Sequence, residues 1–270
     1  MKIWKNTATL DGYEDGLFFT NVKQDADIAL LGGKSIVLDE FTSLKGIFRV
    51  GISGDNVPKE EAESMGIKVC FPPQETIDII YEETASFACS LIFRMLYSEV
   101  GTLEPWMKHI RAQLADRVLL VIGMGNIGSR VAEKMRGFLK VKSYDVLQNT
   151  ASELKDLIVS ADGITLHMPK SQENIHFMDS EKLSWMKDGA VLINTARGAI
   201  VEEEALLKEI ESLRLRAAFD VYWQEPYLGK LNKYHPDRFY MTPHVASTCN
   251  RFLEGCRKGL DILIEDLSSA

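Results

Sequence analysis

The sequence predicts an α/β fold carrying a doubly wound parallel sheet, and three observations lead there. Short apolar, β-branched runs alternate with stretches of helical periodicity along most of the 270 residues; that alternation marks βαβ units with parallel strands. One run, Val118–Ile122, passes directly into Gly123, Gly125 and Gly128, spaced G-x-G-x-x-G, with a helical pattern behind them. Polar, reactive side chains gather at the ends of the later runs, the place where open α/β sheets hold ligands.

Residues 1 to 75 read as a small α/β unit, its strands carried by Lys2 to Trp4, Asp27 to Leu31, Gly46 to Val50 and Ile67 to Cys70. Arg49 to Asp55 is a strand running into a glycine-containing turn, where backbone N–H groups can meet an anion, although the residues alone favour a plain βα turn. Phe71-Pro72-Pro73 stops the next strand. Ile80, Thr84, Phe87, Leu91 and Met95 then recur at helical spacing, predicting a long helix that crosses between two domains. Residues 99 to 116, with Gly101, Pro105 and Trp106, break the pattern.

The glycine-rich unit comes next. Val118–Ile122 reads as a strand buried on both faces. Gly123 permits the sharp turn, Gly125 lets backbone approach a pyrophosphate, and Gly128 lets helix pack on strand. Ile127, Val131, Met135 and Phe138 give the helix one apolar face, and its N-terminus offers unpaired N–H groups to phosphates. A second strand, Val141 to Tyr144, delivers Asp145, 22 residues beyond Gly123. Its carboxylate suits ribose hydroxyls and repels a 2′-phosphate, and Val146-Leu147-Gln148 supplies no arginine, so NAD is favoured over NADP.

Helices at Ser152 to Val159, Ser180 to Met186 and Glu202 to Leu213 then alternate with strands at Gly163 to His167, Ala190 to Asn194 and Arg216 to Asp220, followed by the strand Phe239 to Met241. Leu253, Cys256, Leu260, Leu263 and Leu267 mark a terminal helix. At the strand ends stand Arg197, Asp220, Glu225 and His244. Singly each has a dull explanation; together they give a cation, an acid and an imidazole beside a dinucleotide site, as hydride transfer needs. His109, His167, His176 and His235 are weaker candidates for the imidazole.

Composition narrows the class. A net charge of −8 argues against a nucleic-acid surface. No apolar run approaches membrane-spanning length and the polar N-terminus lacks a signal core, so no membrane partner and a cytoplasmic location are expected. Cys70, Cys89, Cys249 and Cys256 match no zinc or redox spacing; buried free thiols and no metal are expected.

Four runs make a resemblance specific: Asp162 to Pro169, Met186 to Gly198, Asp220 to Pro226, and Thr242-Pro243-His244. In that order beside G-x-G-x-x-G they resemble the signatures of the D-isomer-specific 2-hydroxyacid dehydrogenases over about Leu44 to Thr248. The resemblance implies two Rossmann-like domains with a cleft between them, one flavodoxin-like and one doubly wound: a discontinuous substrate domain, 1–90 plus 249–270, and an NAD-binding domain, 91–248. It implies NAD(P)-dependent interconversion of a 2-keto acid and a D-2-hydroxy acid, and because the helix beginning near Ile80 and the Trp106 segment put large apolar groups where members of that family dimerise, a homodimer is expected. By the same resemblance Arg197 binds substrate, His244 is the acid/base, Glu225 is its partner, and Asp220 holds the nicotinamide carboxamide. The implied cofactor set is Gly123, Gly125, Asn126, Ile127, Gly128, Asp145, Pro169, Thr195, Ala196 and Asp220. Gly51, Ile52 and Ser53, with Arg197 and His244, form the implied substrate set, Ser53 standing where a glycine is common. Glu225 also separates this chain from the related formate dehydrogenases, which carry Gln there. The competing expectation is an NAD-sensing interaction protein of the same fold.

Overall fold

The apolar runs build two parallel sheets, each in its own unit. The computed structural model describes residues 1–269 and divides by contacts into residues 1–80 with those from Ser247 on, and residues 81–246. The first boundary lies ten residues before the expected 90/91, because Ile80 packs into the first unit's core whereas Ala85, Ala88 and their successors pack into the second. Ala270, the last residue of the expected 249–270 segment, lies outside the described residues.

The first unit contains β1 (Lys2–Lys5), β2 (Phe18–Phe19), β3 (Ile28–Leu31), β4 (Gly46–Arg49), α1 (Lys59–Ser64) and β5 (Lys68–Cys70), its sheet ordered β2-β1-β3-β4-β5. The two-residue β2 was not expected; it is too short to show periodicity. α2 (Gln74–Leu96) begins as soon as Pro73 ends the extended segment, six residues before the first apolar position of the predicted helix.

In the second unit a short antiparallel hairpin, β6 (Gly101–Thr102) and β7 (Met107–Lys108), occupies the stretch expected to be irregular. Then follow β8 (Val118–Ile122), α3 (Asn126–Met135), β9 (Lys140–Tyr144), α4 (Ala151–Ser160), β10 (Gly163–Leu166), α5 (Ser180–Trp185), β11 (Val191–Asn194), α6 (Glu203–Glu211), β12 (Arg216–Phe219) and β13 (Phe239–Met241). The sheet is parallel throughout, in the order β13-β12-β11-β10-β8-β9. Successive strand residues enter opposite cores. Leu120, Ile122 and Leu192 join one apolar cluster, while Leu119, Val121, Val191 and Ile193 join the other. Each such side chain contributes roughly 1.5–3 kcal/mol by leaving water, which is why these runs are continuously apolar rather than alternating.

Phe138 departs from its expected place on the helix. α3 ends at Met135, and Phe138 sits beyond it, half exposed, meeting Phe93 edge to face at 5.1 Å. Thr150 and Glu153 cap α4 reciprocally, and Asp179 caps α5 by accepting from Lys182 N (2.9 Å). α7 (Asn250–Ser268) returns the chain to the first unit and buries Phe252, Cys256, Leu260 and Leu263 there. All four cysteines are free thiols; Cys89 and Cys256 are buried, but Cys70 and Cys249 are only half-buried, against expectation.

Candidate active site

Strand register aligns the residues that matter. Tyr144, Ile122, Leu166, Asn194, Phe219 and Met241 are paired across the second sheet. The residue after each therefore lies in one row along the carboxyl edge: Asp145, Gly123, His167, Thr195, Asp220 and Thr242. With strands about 4.8 Å apart, the row separates Asp145 from Thr242 by roughly 24 Å, a length suited to an extended ligand.

At one end the glycines behave as their chemistry requires. Gly123 has φ +91°, and a Cβ there would lie 2.7 Å from His167 O; a Cβ on Gly128 would lie 1.9 Å from Gly123 O. Gly125 differs, since a Cβ there meets nothing within 4 Å. Its missing side chain leaves space above the start of α3, where Gly125 and Asn126 are exposed, Ile127 follows half-buried, and no acid occupies the first turn. Asp145 is anchored by backbone donors, Oδ2 accepting from Met124 N (2.8 Å) and Oδ1 from Leu147 N (3.0 Å). These bonds tie the acid to the glycine turn and leave further lone pairs on both oxygens.

The middle of the row holds an orphan. Thr195 Oγ1 is the one buried side-chain polar atom among the described residues without a hydrogen-bond partner. Buried hydroxyls rarely stay so. Asn194 braces the following turn, its Oδ1 accepting from Ala196 N (3.0 Å) and its Nδ2 donating to Arg197 O (2.9 Å). Neighbouring His167 bonds Thr165 Oγ1 through Nε2 at 2.9 Å, and burial pushes its pKa down to about 3, so it stays neutral and donates no catalytic proton near neutrality. Pro169 is exposed just beyond, its carbonyl accepting from Asn174 Nδ2.

At the far end the structure brings Arg197, Glu225 and His244 together. His244 Nδ1 lies 2.9 Å from Glu225 Oε2 and 3.1 Å from Oε1. Burial pushes the Glu225 carboxyl up, but the hydrogen bond and charge of His244, the Tyr222 N–H and the Arg197 charge outweigh it and hold the carboxyl below its ordinary value. Gly198 makes the approach possible: a Cβ there would stand 2.1 Å from Tyr222 C, so only glycine lets the Arg197 turn lie against the segment leading to Glu225.

His244 has a left-handed backbone, φ 55°. Asp220, fully buried, holds it there: Oδ1 accepts from Thr242 Oγ1 (2.6 Å) and Val245 N (2.9 Å), Oδ2 from Ala246 N (2.9 Å). Tyr222 closes the base of the same turn, donating from its hydroxyl to Phe219 O or Thr242 O and accepting from Thr242 N. Neither Asn194 nor Tyr222 was read as a site residue, although a polar residue ending the apolar run Ala190–Ile193 is a signal for the former. Of the other histidines, His109 and His176 are exposed and His235 accepts from Met241 N; among the described residues none of them pairs with a carboxylate. Gly51 (φ +119°), Ile52 and Ser53 follow β4 in the first unit, where Ser53 Oγ donates to Asp55 and a Cβ on Gly51 would touch the Arg49 guanidinium at 3.0 Å. The described residues contain no cluster able to hold a metal ion, nor a helix long and apolar enough to cross a membrane.

Residues 97–246 match the family model described as "D-isomer specific 2-hydroxyacid dehydrogenase, NAD binding domain". The chain belongs to that family. As one of the D-isomer-specific 2-hydroxyacid dehydrogenases it is an NAD-dependent oxidoreductase. It is 30% identical over 225 residues to a hydroxypyruvate reductase of Thermotoga maritima, covering 78% of this chain and 74% of that one. It is 30% identical over 249 residues to a glyoxylate reductase of Thermofilum pendens, covering 83% and 72%. In fold it superposes on a D-lactate dehydrogenase from Aquifex aeolicus, crystallised with NAD and lactic acid, with a TM-score of 0.82 at 23% identity, covering all of this chain and 96% of that one. The family's NAD fits the open space over Gly125, the unpaired start of α3, Asp145 and the orphaned Thr195 hydroxyl.

Proposed function

We propose that this dehydrogenase interconverts a 2-keto acid and a D-2-hydroxy acid with His244 as acid/base, Glu225 as its partner and Arg197 as the substrate's cation. The observation that carries this is the 2.9 Å contact of His244 Nδ1 with a carboxylate that Arg197 also influences, at the opposite end of the row from Asp145. Glu225 orients the imidazole through Nδ1, leaving Nε2 for the substrate. In reduction, Nε2 gives its proton to the carbonyl oxygen while the guanidinium stabilises the charge developing there. Bound NADH supplies the hydride. In oxidation the neutral imidazole takes the hydroxyl proton back.

Gly123, Gly125, Asn126, Ile127, Gly128 and Asp145 are assigned to the pyrophosphate and adenosine half of the cofactor, and Pro169, Thr195, Ala196 and Asp220 to the nicotinamide half. Asp220 has a lone pair on Oδ2 beyond its three bonds, which is what it offers the carboxamide. Gly51, Ile52 and Ser53 are assigned to the substrate's carboxylate, supported by a turn that needs glycine's positive φ. In this reading residues 97–246 carry the cofactor and the proton transfer.

The reading includes a homodimer: Leu103 (76% exposed), Trp106 (77%) and Ile110 (103%) present apolar surface on and beside the hairpin. It also includes a cytoplasmic setting, supported by four unpaired thiols. The test is NADH oxidation with glyoxylate, hydroxypyruvate, pyruvate and bulkier 2-keto acids. Reduction of at least one is expected, and binding of NADH without turnover on any of them would favour the nucleotide-sensing alternative.

A further inference from the structure

A cavity of about 580 Å³ lies wholly within the second unit and has both Glu225 and His244 in its wall. That is the size of pockets which enclose whole ligands, about 300–1,000 Å³, and more than a two-carbon keto acid can fill. Its other walls are chiefly apolar: Pro226, Met241, Pro243 and the rings of Tyr222 and Tyr227, which stack with centroids 5.1 Å apart. Both phenol groups are engaged elsewhere. Tyr222 is tied to Phe219 and Thr242, and Tyr227 donates to Glu203 Oε1 at 2.7 Å, so the cavity is offered ring surface rather than hydroxyls.

Two further groups supply polar atoms. His235 accepts from Met241 N through Nδ1 (3.1 Å), which leaves Nε2 as the ring's donor, and Asn232 brings an amide. No lysine or arginine lines the cavity, and its one anion is Glu225. A phosphorylated or carboxylated side chain would find no lysine or arginine there, only imidazoles and an amide, and would meet the like charge of Glu225. An apolar ring would be desolvated against rings and proline, where aromatic pairs add to simple burial.

We propose that this cavity receives the substrate's side chain and selects 2-keto acids whose side chain is uncharged and aromatic or branched aliphatic. The inference rests on His244 being the acid/base, since that residue is part of the cavity's wall. Burying a phenyl or isobutyl group is worth about tenfold to a hundredfold in kcat/KM.

The experiment compares kcat/KM for phenylpyruvate, 4-methyl-2-oxopentanoate, oxaloacetate and glyoxylate with NADH, in the wild-type enzyme and in Asn232→Trp. Asn232 is exposed and its side chain makes no hydrogen bond among the described residues, so an indole there fills the cavity. The expected result is a phenylpyruvate-to-glyoxylate ratio of about ten or more, a poor response to oxaloacetate, and a roughly tenfold fall in the ratio in Asn232→Trp. Phenyllactate should also inhibit the wild-type enzyme more tightly than glycolate, a measurement that needs no variant. A preference for glyoxylate, or a ratio that Asn232→Trp leaves unmoved, would overturn the cavity's role while leaving the acid/base reading intact. Failure to reduce any of the four acids would overturn both.

Discussion

Asp220 reaches His244 through the backbone: its buried carboxylate accepts the N–H groups of Val245 and Ala246, each at 2.9 Å, the two residues that follow the histidine. A histidine at φ 55° is a conformation that surrounding structure has to enforce. Charged acceptors make the stronger hydrogen bonds, and burial makes them costly to remove.

Asp220→Ala should therefore damage stability and turnover together. Two backbone N–H groups and the Thr242 hydroxyl would lose their acceptor, a destabilisation on the order of 3 kcal/mol or more. With His244 released, kcat should fall about a hundredfold, while the NADH dissociation constant, read by fluorescence titration, changes less than about tenfold. The opposite pattern, weak NADH binding with kcat retained, would leave Asp220 its nicotinamide role alone and reject its hold on the His244 turn.

Cofactor choice should follow Asp145. Its two backbone bonds fix the carboxylate beside the glycine turn, where it suits a ribose diol and repels a 2′-phosphate. NADH should be preferred over NADPH in kcat/KM, and Asp145→Ala should shrink that preference. Equal values for both cofactors in the unmodified enzyme would sink this assignment.

What the sequence made legible was what is local. Gly123, Gly125, Gly128 and Asp145 sit within one βαβ unit, so spacing alone carries their meaning. His244 and Glu225 could be singled out because each follows a strand, yet their contact depends on Gly198 admitting the Tyr222 backbone and on Asp220 reaching 25 and 26 residues ahead. No periodicity records such bonds. β2, β6 and β7 were missed because two residues show no alternation, and Phe138 misled because its spacing continued after α3 had ended.

The hairpin predicts an assembly. Leu103, Trp106 and Ile110 expose large apolar surface, and a second copy of this acidic chain related by a two-fold axis would cover it. Light scattering at micromolar concentration should return twice the 30.4 kDa chain mass. A Leu103→Glu, Trp106→Glu variant should shift the protein toward the single-chain mass. A wild-type mass of one chain would reject the dimer.

The last prediction concerns the catalytic group itself. If His244 donates the proton in reduction, His244→Ala should lower kcat by roughly 10²–10⁴-fold while NADH binding stays near normal. Arg197→Ala should harm both KM and kcat, because the guanidinium is assigned to the bound acid and to the developing oxyanion. Glu225→Gln is the more diagnostic change. Burial opposes the charge of Glu225, but His244, Tyr222 N–H and Arg197 together hold its carboxyl below the ordinary value, so it is ionised throughout the neutral range and into mild acid. Glutamine keeps the shape and a hydrogen bond but deletes a negative charge 2.9 Å from Nδ1, and with it the support for imidazolium. Reduction needs the protonated donor and fails as pH rises, so the falling limb should move to lower pH in Glu225→Gln, with activity partly kept at acid pH. A profile that does not move, combined with an inactive His244→Ala, would leave the acid/base role standing and remove the pairing. A His244→Ala enzyme with near-normal kcat would overturn the mechanism.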